Sequence, residues 1–162
     1  MSVSQRSATS SPPPWGPASL WRSGASGPGF LIHTDLVATY LLSFGTEAQK
    51  RHWLPKMVSG EAIGSLGMTE PHAGSDLQAM RTRAIRDGDD YIINGQKIFI
   101  SNGNWCDFLI LACKTNPEAG GKGISLVLVE AEREGFAKAR KLEKIGLHAA
   151  VTEMTGEASV MP

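Results

Sequence analysis

Leu36, Val37, Tyr40, Leu41 and Phe44 recur at helical spacing, and from Ala62 onward the apolar positions close up to roughly every second residue. The first pattern lays one apolar stripe along a helix, and the second sends alternate side chains to opposite faces of strands. Thr34 or Asp35 can cap that helix and Gly45 ends it. In TEAQKRHWLPKMVSGE, Thr46 and Gln49 are spaced as a capping box, and Pro55 is expected to end or kink a second short helix reaching about Val58. Such a helical pair does not bury its own stripe and needs a partner surface.

The period-two region predicts several strands. Asp89 to Ile93, the dipeptide Asn94-Gly95, and Gln96 to Ser101 read as a hairpin, because Asn-Gly supplies the positive φ values of a type I′ turn. Asp107 to Lys114 and Gly123 to Glu130 are further apolar strands joined by NPEAGGKG, and a last strand runs from about Phe136 to Leu142. The sequence is thus α+β, with a β-rich region behind a helical segment. Residues 1–32 form a Ser- and Pro-rich tail that cannot fill a core and is expected to be disordered. Residues 33–61 are the helical part, 62–150 the β-domain, and 151–162 an atypical tail, since VTEMTGEASVMP shows neither strand alternation nor aromatics. The tail is basic and poor in acids, as a transit peptide is, but its prolines oppose the amphipathic helix such peptides use.

Composition narrows the function. At 162 residues with 41% apolar content the chain buries the core of one ordinary domain. Sixteen basic and sixteen acidic residues cancel, so net charge does not point to nucleic acid or an anionic membrane. No apolar run has the length of a spanning helix. Cys106 and Cys113 flank an apolar run and fit neither a redox pair nor a zinc spacing, and they read as reduced core thiols. A cytoplasmic protein is expected, with the mitochondrial matrix as the alternative. No metal site is expected.

Two stretches carry the candidate chemistry, GMTEPHAGSD at 67–76 and NGQKIFISNG at 94–103. Alternation along the second sends Lys97, Phe99 and Ser101 to one face, and Ile98 and Ile100 to the other. A ring and a hydroxyl sharing a face fit a planar heterocycle; an ordinary hairpin with one face in the core fits the same pattern. In the first stretch Pro71 forces Glu70 toward extended backbone, and Gly64, Ser65 and Gly67 allow close backbone approach. Thr69 and Ser75 place hydroxyls at the two ends of a tight loop. A Gly/Pro turn that needs those dihedrals is the plainer account.

MTEPHAGSD, followed after a gap by D-x-Y-I-I-N-G-x-K-x-F-I-S-N-G, resembles the middle domain of the acyl-CoA dehydrogenases, closest to the long-chain type with its Phe-Ile-Ser triplet. The resemblance runs from about Gly29 through GTEAQKRHWLP to KLEKIGLHAA. Two long motifs in order are far more specific than one short one. The resemblance implies an antiparallel two-sheet, barrel-like β-domain binding FAD, and removal of two hydrogens from the α and β carbons of an acyl-CoA thioester. It places Leu66, Gly67, Met68 and Thr69 along the flavin, Phe99 with Ile100 beside its ring, and Ser101 on flavin N5. Gly74 and Ser75 join the cofactor set, and Ser75 also matches a contact to acyl-CoA. Electron-transfer flavoprotein and a homo-oligomer are the implied partners.

Departures from the family pattern weigh against activity of this chain alone. The family's catalytic glutamate lies on a C-terminal helical bundle, and no residue here matches it, so the catalytic residue is unknown. Both ends differ from the family pattern, which suggests a truncated or frame-disrupted product. Two other functions stay open: a non-catalytic remnant holding flavin or a partner subunit weakly, and a related flavin-dependent acyl-CoA oxidase or monooxygenase. Glu70 has no partner acid or base beside it in sequence and reads as structural. His72 reads as a solvated loop residue. AGGKGIS lacks the spacing of a phosphate loop, and no G-x-G-x-x-G is present.

Overall fold

The structure is a computed structural model that describes residues 28–142 and 151–160. Helix α1 (Pro28–Leu31), a π-helical stretch (Ile32–Val37) and α2 (Ala38–Phe44) form one continuous helical run. The helix therefore starts before Thr34 and Asp35, and residues 28–32 are helical, not disordered. Proline suits a first helical position, where its missing N–H has no partner to lose. The Thr34 hydroxyl donates to the Phe30 carbonyl at 3.0 Å, one turn back inside the helix, so it caps nothing. The rest of the expected N-terminal tail, residues 1–27, lies outside the described residues.

Helix α3 (Glu47–Ser59) opens on the predicted capping box. The Gln49 N–H donates to Thr46 Oγ1 at 3.2 Å, and the Thr46 N–H donates to Gln49 Oε1 at 2.9 Å. The helix runs through Pro55 without ending there and stops at Gly60, close to the expected end near Val58; the Gly60 φ of 80° suits glycine. His33 fastens the helices to the sheet: its Nδ1 accepts the Gly64 N–H at 3.0 Å, which leaves Nε2 to donate to the Met57 carbonyl at 3.2 Å.

Seven strands follow: β1 (Gly64–Gly67), β2 (Arg83–Asp87), β3 (Asp90–Ser101), β4 (Phe108–Lys114), β5 (Ile124–Glu130), β6 (Phe136–Lys141) and β7 (Val151–Val160). They lie in one sheet in the order β1-β4-β2-β3-β7-β6, with β5 on β4. The sheet is mixed and open, which corrects the expected antiparallel barrel. β1 and β4 run parallel, from Gly64 opposite Phe108 to Gly67 opposite Leu111. A parallel pair needs a crossover, and the β2–β3 hairpin lies within it.

Two further expectations fail here because segments distant in sequence decide the outcome. Asn94-Gly95 is not a turn; it lies inside β3, which is a single strand from Asp90 to Ser101. The hairpin turn is Gly88-Asp89, where Gly88 has φ of 62°. Gly95 is glycine for another reason: a Cβ there would stand 2.7 Å from Thr82 Cβ and Cγ2. Close approach to a neighbouring strand, not a left-handed turn, uses that residue. The segment 151–160, which lacks strand patterning, nevertheless forms β7 between β3 and β6, in register from Val151 opposite Ser101 to Val160 opposite Tyr91. Backbone pairing on both sides overrides weak local preference.

Two cores meet at β4. Val37, Leu41, Trp53 and Met57 from the helices pack on Phe108 and Ile110, with the Trp53 and Phe108 rings 4.4 Å apart. Ala84, Ile93, Ile100, Cys106, Leu109 and Cys113 form the second. The helical stripe is thus covered by the sheet at Val37, Leu41 and Trp53, whereas Leu36 and Phe44 of the stripe stay exposed, together with Phe30, Leu31, Leu42 and Val58. Both cysteines are free and buried, as the sequence suggested. Gly95→Ala is expected to cost about 1–3 kcal/mol by chemical denaturation, since the new methyl meets Thr82. A change smaller than about 0.5 kcal/mol, the scale of a neutral surface substitution, would contradict the strand assignment.

Candidate functional site

The two motif stretches, far apart in sequence, run side by side in opposite directions. The Ser65 hydroxyl donates to the Ser101 carbonyl at 2.6 Å, the Ile98 N–H to the Thr69 carbonyl at 2.9 Å, and Lys97 Nζ to Glu70 Oε1 at 2.7 Å. These three ties pair 65 with 101, 69 with 98 and 70 with 97. Between the first tie and the second, Leu66 to Met68 face the Phe99–Ile100 segment.

Phe99 breaks the strand there. The register of β3 on β7 shifts between Lys97 and Ile100, and Phe99 has φ of 57°, a conformation that is an outlier for a bulky side chain. Lys97 and Ile100 are both buried, at 2% and 1% exposure, while Phe99 is 61% exposed. Strict alternation, with Lys97, Phe99 and Ser101 on one face, is therefore corrected. The bulge sends Lys97 inward and leaves the Phe99 ring outside, beside a half-buried Ser101.

Among the described residues, neither the Thr69 nor the Ser101 hydroxyl has a hydrogen-bond partner. Both are half-buried. An exposed ring on an outlying backbone, with one hydroxyl two residues on and another on the adjoining segment, supplies donors and a flat apolar surface of the kind a planar heterocycle needs, and in this sense the residues fit a flavin.

The other expected residues are placed less directly. Leu66 and Met68 are half-buried and Gly67 is buried. A Cβ on Gly67 would meet the Leu109 and Leu111 side chains, and one on Gly64 would meet Phe108 at 2.9 Å, so these glycines make room for the core. Ile100 belongs to the core and offers a ligand no side-chain surface. Gly74 and Ser75 lie exposed beyond the turn closed by the Glu70 N–H to the Ala73 carbonyl at 2.8 Å. Asp76 beside them accepts the Gln78 N–H at 3.0 Å, capping the short helical turn Leu77–Ala79.

Glu70 has the partner its sequence neighbours could not supply. Its carboxylate accepts the Arg81 N–H at 2.6 Å, the Thr82 N–H at 3.0 Å and the Thr82 hydroxyl at 2.5 Å, besides Lys97. Lys97 Nζ also donates to the Met68 carbonyl at 3.0 Å. Burial pushes the Glu70 carboxyl up, but the Arg81 N–H, Lys97 and Thr82 outweigh it and hold the group below its ordinary range. Burial likewise draws the Lys97 ammonium down, and Glu70 only partly restores it. The sequence reading missed this pair; its available signal was a lysine between apolar strand residues, since a charge carried into a core needs a counter-charge.

With this geometry in view, the chain can be set beside known proteins. Its residues 65–158 match the family described as "Acyl-CoA dehydrogenase, middle domain", and residues 18–61 the corresponding N-terminal domain. The chain belongs to the acyl-CoA dehydrogenase family. Among its relatives is the mitochondrial long-chain specific acyl-CoA dehydrogenase of Sus scrofa, 51% identical over 129 residues, which cover 78% of this chain and 30% of that enzyme. The crystal structure of an acyl-CoA dehydrogenase from Geobacillus kaustophilus superposes with a TM-score of 0.82 at 50% identity, covering 88% of this chain and 39% of that one. A glutaryl-CoA dehydrogenase from Mycobacterium smegmatis, solved in complex with FADH2, does so with a TM-score of 0.72 at 37% identity, over 80% and 33%. The chain thus spans about a third of the length of the relatives it matches.

Glu70→Gln is expected to cost about 3–5 kcal/mol, because it strands the buried Lys97 ammonium, and Glu70→Gln/Lys97→Met to recover most of that loss. Since the folded Glu70 lies below its ordinary 4.5, the stability it contributes is complete above that pH and is lost as pH falls through the folded value. Urea titrations from neutral pH down to about pH 3 should show that acid-side decline in the unaltered chain and a flatter profile in the double variant.

Proposed function

We propose that this chain is the flavin-contacting part of an FAD-dependent acyl-CoA dehydrogenase and that, alone, it does not dehydrogenate acyl-CoA. The observation that carries the first half is the bulge: an outlying backbone conformation that holds an aromatic ring out of the core, in a segment that also carries Ser101 and is bonded through Ile98 to Thr69. Phe99 packs on the flavin ring, Thr69 and Ser101 offer it their hydroxyls, and the Leu66–Met68 backbone lies along it. Bound FAD supplies the redox chemistry. Ser75, on the exposed loop, contacts acyl-CoA. Electron-transfer flavoprotein as acceptor, a homo-oligomer and a mitochondrial location follow from kinship with enzymes such as the pig protein.

The second half rests on Glu70. Removal of the α-proton needs a base within hydrogen-bond reach of substrate, worth about a hundredfold to ten-thousandfold in rate. Glu70 is the carboxylate beside the site, and it is buried, ion-paired and held below the ordinary carboxylate range, the opposite of a poised base. This supports a second reading, in which the chain binds flavin or a partner subunit without catalysing anything.

Titration of the 162-residue chain with FAD, followed by flavin fluorescence, is expected to show binding at roughly micromolar or weaker affinity. Phe99→Ala should weaken it about tenfold, and Ser101→Ala by less. No binding at all would remove the flavin assignment. Anaerobic mixing of the FAD-loaded chain with acyl-CoA thioesters of graded length should leave the flavin absorbance unbleached. Bleaching of the flavin by the unaltered chain would overturn the second half of the proposal.

A further inference from the structure

We infer that Glu70 and Lys97 are positioning residues for the cofactor: the pair fixes where Thr69 sits relative to Phe99 and Ser101, and so assembles the two halves of the flavin surface. This rests on the flavin reading above. Thr69 and Phe99 stand next to the pair in sequence, one following Met68 and preceding Glu70, the other two residues past Lys97. They belong to different elements, and β1 and β3 share no ladder; β1 pairs with β4 alone. What joins the two stretches at this end is the Thr69–Ile98 backbone bond and the Lys97 ammonium, which reaches Glu70 at 2.7 Å and Met68 at 3.0 Å from the same atom. Lys97 therefore grips both sides of Thr69.

The same ammonium accounts for the bulge. For Lys97 and Ile100 both to lie inside, the strand must gain a residue between them, and Phe99 with φ of 57° is the residue displaced outward. A lysine held inward here without a carboxylate would be an uncompensated buried charge, so the inward register is tolerated because Glu70 faces it. Charge pairing inside the sheet is thereby converted into exposure of a ring on its surface. A side chain that served only the core would do so at lower cost as a leucine or methionine, since isolated buried pairs stabilise little.

The test compares the unaltered full chain with Lys97→Met and with Glu70→Gln/Lys97→Met, the second of which carries no unpaired buried charge. Amide hydrogen exchange by NMR reads the joint without cofactor: the Ile98 amide, bonded to the Thr69 carbonyl, should lose at least tenfold in protection in both variants, while those of Leu109 to Cys113 in β4 keep theirs. FAD titration reads its consequence: in the double variant the dissociation constant should rise at least tenfold and the visible flavin band should shift from its position on the unaltered chain. Protection lost evenly over β3 and β4 would mean a purely structural pair and would overturn the inference, as would unchanged exchange at Ile98. If the double variant binds FAD with unaltered affinity and spectrum, the positioning role is likewise refuted. Should the unaltered chain bind no FAD, the flavin reading fails by itself, and exchange at Ile98 decides whether the pair sets this joint.

Discussion

One carboxylate, nearly withdrawn from water, touches most of what makes this site. Glu70 accepts hydrogen bonds from the backbone at Arg81 and Thr82, from the Thr82 hydroxyl and from Lys97, so a single side chain joins the end of the β1 segment, the entrance to β2 and the middle of β3. Desolvating a carboxylate and an ammonium together is expensive, and the attraction between them repays it only when the remaining lone pairs are also satisfied. Here they are: among the described residues no buried side-chain polar atom lacks a partner. The turn Glu70–Ala73 and the close pass of Gly95 beside Thr82 follow from that arrangement, because both bring backbone toward the same charged centre.

Strain and exposure are concentrated in one short segment. Among the described residues Phe99 and Asn102 are the non-glycine residues with positive φ, and both lie where β3 ends. Conformations of this kind cost about 1–3 kcal/mol each and persist only where surroundings impose them. For Asn102 the surroundings are visible: its side-chain amide donates to the Gly29 carbonyl at 2.6 Å, tying the loop to the start of the first helix. Phe99 is imposed on by the register that Lys97 demands. The helical segment and the β-sheet therefore share the job of shaping one edge, as they share the core on Phe108 and Ile110.

How much of this was legible in the residues divides along range. The capping box at Thr46 and Gln49, the β4 and β5 strands and the buried cysteines are local or compositional features, and they came out as read. Family kinship was also visible, because two long motifs in order carry more information than any periodicity. What could not be read was long-range. Asn94-Gly95 looks like a turn because the dipeptide favours one; Thr82, twelve residues earlier, decides otherwise. The last ten described residues look like no strand until β3 and β6 are placed on either side of them. Lys97 counted as one more member of an alternating face until Glu70, far back in sequence, became its neighbour and shifted the register. The parallel pairing of β1 with β4 is likewise a property of topology and not of either strand.

The buried thiols have a consequence of their own. Burial raises Cys106 and Cys113 to about 11 each, and Cys106 donates to the Gly103 carbonyl at 3.4 Å. At neutral pH only about one molecule in ten thousand carries a thiolate at either position, and that anion, not the thiol, is what oxidants and alkylating reagents attack. Cys113 lies in β4, the strand on which both cores meet, and Cys106 stands just before it. Their chemical silence is therefore a clock for the fold: the rate at which either sulfur reacts measures how often the centre of the sheet opens to water.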